Sequence, residues 1–150
     1  MEAKNELPIY AELLRSGRSI SVTPKGGSMH PLLDGRSDSV ALRPRKPDEV
    51  PEKDALVYYR MNRGGEAVHR VWETGADHLV ILGDGNLTKE YEVPVTSVYG
   101  VVTELCRKGR TFSVSDRSYR NYVKWWRRLY PVRDLLLKLY RFFWVSKPES

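Results

Sequence analysis

Residues 55–72 read Ala55-Leu56-Val57-Tyr58-Tyr59-Arg60-Met61-Asn62-Arg63-Gly64-Gly65-Glu66-Ala67-Val68-His69-Arg70-Val71-Trp72, two runs of strand-forming residues with a Gly-Gly pair between them. β-branched and aromatic side chains dominate both runs, and the glycines supply the turn chemistry. In the second run the alternation puts Val68 and Arg70 on one face and His69 and Val71 on the other. A histidine is thereby aimed from a rigid element.

The same period of two extends outward in both directions. Ile20 and Val22, then Val40 and Leu42, precede the stretch, while Leu79–Leu82, Val98–Val102 and Thr111–Val114 follow it. Gly75, Gly83, Gly85 and Lys108-Gly109 punctuate these runs. The expected fold is mainly β, a folded-over antiparallel sheet or a small barrel. A short helix capped by Asn5 is expected to run through Leu14, with Leu7, Tyr10, Leu13 and Leu14 on one face and Gly17 as its stop. After Ser115 the period changes to that of a helix: Tyr119, Tyr122, Val123, Trp126, Leu129 and Tyr130 recur, with Arg120, Lys124, Arg127 and Arg128 between them. Pro131 should divide this basic amphipathic helix from a second stripe of Val132, Leu135, Leu136, Leu139, Tyr140 and Phe143. The expected organisation is thus 1–115, the sheet with its N-terminal helix, and 116–150, a basic aromatic helical tail.

The chain of 150 residues, 41% hydrophobic and 29% charged, is long enough to bury a single core without metal or disulfide support. Cys106 is the one cysteine, and His30, His69 and His78 are scattered, so no disulfide, metal or other cofactor is expected. The net charge of +6 is concentrated in the tail, where nine basic residues lie between Arg117 and Lys147. Residues 1–17 hold no apolar run of signal-peptide length, and no segment approaches the ~20 uncharged apolar residues of a membrane span. A cytoplasmic chain, peripheral on a membrane at most, is the expectation.

The segment Gly26-Gly27-Ser28-Met29-His30-Pro31 carries the chemistry. Two glycines free the backbone to turn sharply and present a serine hydroxyl, and a proline stiffens the exit. A hydroxyl needs a base to become a nucleophile, and His69 leads the candidates. His30 is a rival handicapped by lying two residues from Ser28 and directly before a proline, and Lys25 is a weaker one. Each segment also has an ordinary structural reading, Gly-Gly-Ser as a turn and a strand histidine as a hydrogen-bonded core residue.

Gly27-Ser28-Met29 with Pro31, Asp54-Ala55-Leu56-Val57-Tyr58, Val68-His69-Arg70-Val71, Gly83-Asp84-Gly85-Asn86 and Tyr99-Gly100-Val101-Val102 together resemble the ordered boxes of type I signal peptidases and LexA-like self-cleaving proteins. The resemblance covers roughly 19–105. His69-Arg70 is similar to the endoplasmic-reticulum and archaeal members, in which a histidine replaces the lysine base. It implies a Ser/His endopeptidase cutting an extended peptide or protein segment, of the kind that processes leader or signal peptides. It further implies an oxyanion hole at the Ser28 backbone N–H, substrate contacts around Gly26, Gly27, Met29 and Pro31, and an acid supporting His69. Asp84 matches the box and Glu90 matches the spacing of the later acid, and the two rank nearly level. Asp84 reads equally well as a hairpin-turn residue, and Glu90 as a solvated surface acid. Gly26 departs from the small hydroxyl residue common there, and Lys53 from a glycine.

The alternative function is a catalytically silent binding or scaffold protein that retains the fold. For the 117–147 tail, with Trp125, Trp126 and Trp144 as interfacial anchors, the readings are an anionic membrane surface, a protein partner, or a helix packed on the sheet. Nucleic acid is disfavoured.

Overall fold

The computed structural model describes residues 8–145, with side chains to residue 143. Eight strands form one antiparallel sheet: β1 (Ile20–Val22), β2 (Ser39–Pro44), β3 (Leu56–Arg60), β4 (Glu66–Thr74), β5 (His78–Leu82), β6 (Glu90–Pro94), β7 (Val98–Arg107) and β8 (Arg110–Ser113). Their order is β1-β2-β7-β3-β4-β5-β6, with β8 added to β7. Among the described residues the ends of this path, β1 and β6, pair only with β2 and β5, so the sheet is open and the barrel alternative is set aside. Sequence periodicity missed β6, Glu-Tyr-Glu-Val-Pro, because Val93 is its one buried residue and its charges read as loop.

Alternation on β3 and β4 feeds two separate cores. Leu56, Tyr58 and Val68 join Met29, Leu32, Leu33, Val40, Leu42 and Leu105 on one face. Val57, Tyr59 and Val71 on the other meet Leu79, Ile81, Val93 and Val101, all from the same sheet, which curls around them. Irregular registers at Tyr58/Tyr59, Val71/Glu73 and Leu79/Ile81 supply bends for that curl.

Helix α1 (Ile9–Arg15) follows Pro8 and buries Ala11 and Leu14. Tyr10, expected on the buried face, is exposed instead, and the expected cap Asn5 and Leu7 lie outside the described residues. Gly17, at φ +97°, ends the helix as expected: its N–H reaches the Leu14 carbonyl and that of Arg18 reaches Leu13, a pairing that needs a left-handed residue.

The tail packs on the sheet. Helix α2 (Arg117–Arg128) buries Tyr119, Val123 and Trp126, and Tyr119 and Val123 belong to the first core. Pro131 sits in a 3-10 turn, Tyr130–Val132, that separates α2 from α3 (Arg133–Tyr140), and a π-helical turn, Arg141–Val145, follows. The buried residues of α3 are Arg133 and Leu137, whereas Val132, Leu135, Leu139 and Phe143 of the expected stripe are exposed. The side chain of Trp144 and the whole of Lys147 lie outside the described residues.

Candidate active site

Strand β4 places His69 opposite Val57 of β3, with Tyr59 its diagonal neighbour on the same face. The imidazole is buried, 6% exposed, and its Nδ1 lies 3.0 Å from the Tyr59 hydroxyl. That hydroxyl in turn donates to Glu90 Oε1 at 2.5 Å. A phenol has a single proton, so with it directed to Glu90 the oxygen accepts from Nδ1–H of His69. Nε2 is then the lone-pair nitrogen, and among the described residues it has no hydrogen-bond partner. The other Glu90 oxygen accepts the Asn62 N–H at 2.6 Å, which ties the relay to the β3–β4 turn.

Burial pushes the His69 pKa down to about 4, against smaller upward effects of the Glu90 and Asp84 carboxylates. The imidazole is therefore neutral at physiological pH, with one ring nitrogen unprotonated. Tyr59 is driven the other way, upward, by burial and by its bond to Glu90, so the phenol stays protonated.

Ser28 lies in a compact turn after Gly26, whose φ of +72° favours glycine. The turn is held by bonds from the His30 N–H to Gly27, from the Leu33 N–H to Met29, and from the Gly85 N–H to the Ser28 carbonyl at 2.8 Å. Ser28 and His69 meet at Gly83. A methyl group there would lie 2.4 Å from the Ser28 carbonyl oxygen and 2.8 Å from His69 Cδ2, so only a glycine lets the turn and the strand close on each other. Both line one cleft of about 700 Å³, shared with Gly26, Gly27, Asn86 and Glu90. Ser28 Oγ and His69 Nε2 are not hydrogen-bonded to each other. A larger groove of about 1160 Å³, between α2 and the sheet, is lined by neither Ser28, His69, Tyr59, Asp84 nor Glu90.

Comparison of the chain with models of protein families, with curated proteins and with solved structures finds no match.

The remaining expected residues separate by placement. Asp84 does not reach His69. Its carboxylate takes two bonds of 2.8 Å from Arg70 Nε and Nη2 and a third from the Tyr122 hydroxyl, while its carbonyl accepts Trp126 Nε1. Arg70 is 4% exposed and also donates to the Tyr119 hydroxyl and the Asp54 carbonyl, so this ion pair fastens α2 to the sheet. Met29, expected beside the substrate, is buried in the first core, where its sulfur accepts the Asp84 N–H. Pro31 lies past the cleft, its carbonyl accepting from Arg107. His30 is packed against Tyr140 and accepts from Arg141 Nε at 3.4 Å; burial, and after it the Arg141 charge, lowers its pKa.

Sequence reading missed Tyr59, Arg133 and Arg141. Arg133 donates to the Gly83 and Asn86 carbonyls and Arg141 to those of Gly27 and Gly85, so the tail holds both loops that meet at the cleft. Tyr59 had a signal in the alternation that sets Val57 and Tyr59 on the His69 face. The two arginines had none, since the cleft-loop carbonyls they hold are more than forty residues away.

Proposed function

We propose that this chain is a serine endopeptidase with a LexA and signal-peptidase-like fold, cleaving an extended peptide segment. The observation that supports it is a buried, neutral imidazole whose Nδ1–H is held by Tyr59 and Glu90, leaving Nε2 free beside the turn that carries Ser28. Ser28 Oγ adds to the scissile carbonyl as Nε2 takes its proton, and the Ser28 backbone N–H stabilises the oxyanion. The proton then passes to the departing amine as the C–N bond breaks, giving an acyl-serine. Water attacks the ester, His69 takes its proton and returns it to Ser28, and the acid product leaves. Glu90, through Tyr59, offsets the positive charge that appears on His69 in each half-reaction.

A fluorophosphonate probe tests this directly, because only an activated serine displaces its fluoride. Adduct mass on the tryptic peptide containing Ser28, absent in Ser28→Ala and His69→Ala proteins of unchanged circular dichroism, is the expected result. Absence of labelling in the wild type, or labelling that survives His69→Ala, overturns it.

The missing Ser28–His69 hydrogen bond favours a second reading, a silent binding protein of the same fold. Retained cellular function in Ser28→Ala would select that reading.

A further inference from the structure

The outward side of α3 is apolar. Leu135 is 59% exposed, Leu139 45% and Phe143 53%, and Val132 at the helix start is 46% exposed. They occupy the side of the helix away from the buried Arg133 and Leu137. A helix normally turns such a stripe inward. Here Arg133 takes the inward position, its Nη1 donating to the carbonyls of Gly83 and Asn86 and its Nη2 to that of Trp126, and the apolar stripe is left on the surface.

The charge around this stripe is one-sided. Residues 117–143 hold eight Lys and Arg against Asp134 as their one acid. Arg127, Arg133 and Arg141 turn inward to Asp54 and to backbone carbonyls. Arg117, Arg120, Lys124, Arg128 and Lys138 remain exposed on α2 and α3, with Trp125 also 56% exposed beneath the Arg128 guanidinium. An apolar ridge bordered by cations and an amphipathic indole matches the headgroup boundary of an anionic bilayer, where the apolar residues enter the acyl region and the cations meet lipid phosphate. Among the described residues no helix is long and apolar enough to cross a membrane.

We propose that the face carried by Val132, Leu135, Leu139 and Phe143 docks the protein on an anionic lipid surface. This stands apart from the peptidase reading, since it uses none of the cleft residues. The two features are nonetheless adjacent: Arg141, one residue past α3, binds the carbonyls of Gly27 and Gly85.

The test is co-sedimentation of the full chain with vesicles of phosphatidylcholine alone and of phosphatidylcholine with about one-third phosphatidylglycerol. Binding to the anionic vesicles, weakened by added salt, is expected. The Leu135→Gln/Leu139→Gln double variant, which keeps good helix formers at exposed positions, should bind at least about tenfold more weakly. Unchanged circular dichroism and thermal midpoint establish that it folds. Equal binding to neutral and anionic vesicles, no binding to either, or binding unaffected by the double variant overturns the proposal. So does a concentration-dependent dimer of the wild type that the double variant abolishes, since the face would then be a contact between copies.

Discussion

Tyr59 donates its phenolic proton to Glu90 across 2.5 Å, and that bond decides the tautomer of His69. Removing the hydroxyl in Tyr59→Phe leaves Nδ1 and Glu90 Oε1 without their shared partner, so nothing selects the tautomer with Nε2 free. Fluorophosphonate labelling of Ser28 should fall about 10- to 100-fold, with a stability cost of about 1–3 kcal/mol for the unsatisfied groups. Labelling at the wild-type rate would show that the relay does not act on Ser28.

Stability should depend on pH through His69. Its pKa is about 4 in the folded protein and 6.5 ordinarily, so between those values the unfolded chain binds a proton that the folded chain does not. Stability is therefore full above 6.5 and declines as pH falls toward about 4, by about 3 kcal/mol in all. His30, also lowered by burial and by Arg141, acts in the same direction. Glu49, lowered to about 2 by its bond to Arg43, acts only below the ordinary carboxylate range of 4.5. Urea midpoints at about pH 7 and about pH 5 should differ less in His69→Gln than in the wild type, and an equal difference would assign the slope elsewhere.

Asp84 and Glu90 should fail in different ways. Asp84→Asn takes the counter-charge from an Arg70 that is 4% exposed and should cost about 3–5 kcal/mol, read from urea unfolding. Glu90 is only partly buried, and Glu90→Gln should stay folded while labelling of Ser28 drops. The reverse pattern, a stable Asp84→Asn that loses labelling, would make Asp84 the acid that supports His69.

Gly83→Ala should separate the turn from the strand. Its methyl would lie 2.4 Å from the Ser28 carbonyl and 2.8 Å from both His69 Cδ2 and Asn86 Nδ2, distances that require a shift of backbone. About 1–3 kcal/mol of destabilisation is expected from the overpacking, with loss of Ser28 labelling even where the protein remains folded. A variant that labels normally would mean that the Gly83 contact does not set the Ser28–His69 geometry.

Most strand positions, the left-handed stop at Gly17, the turn at Ser28 and the strand face of His69 are legible in the order of residues. Each of these is local: alternation of side chains, a positive φ, or a run of glycines is written in neighbouring residues. Which acid is joined to His69 through Tyr59 is a tertiary outcome, since Glu90 and Tyr59 are 31 residues apart and the irregular registers at Val71/Glu73 and Leu79/Ile81, along the path β3-β4-β5-β6, bring them together. Tertiary structure likewise decided the side of α3 that is buried. Periodicity marks an apolar stripe, but Arg133 turns inward to donate through Nη1 to backbone carbonyls of a distant loop, and a long-range hydrogen bond leaves no trace in local spacing.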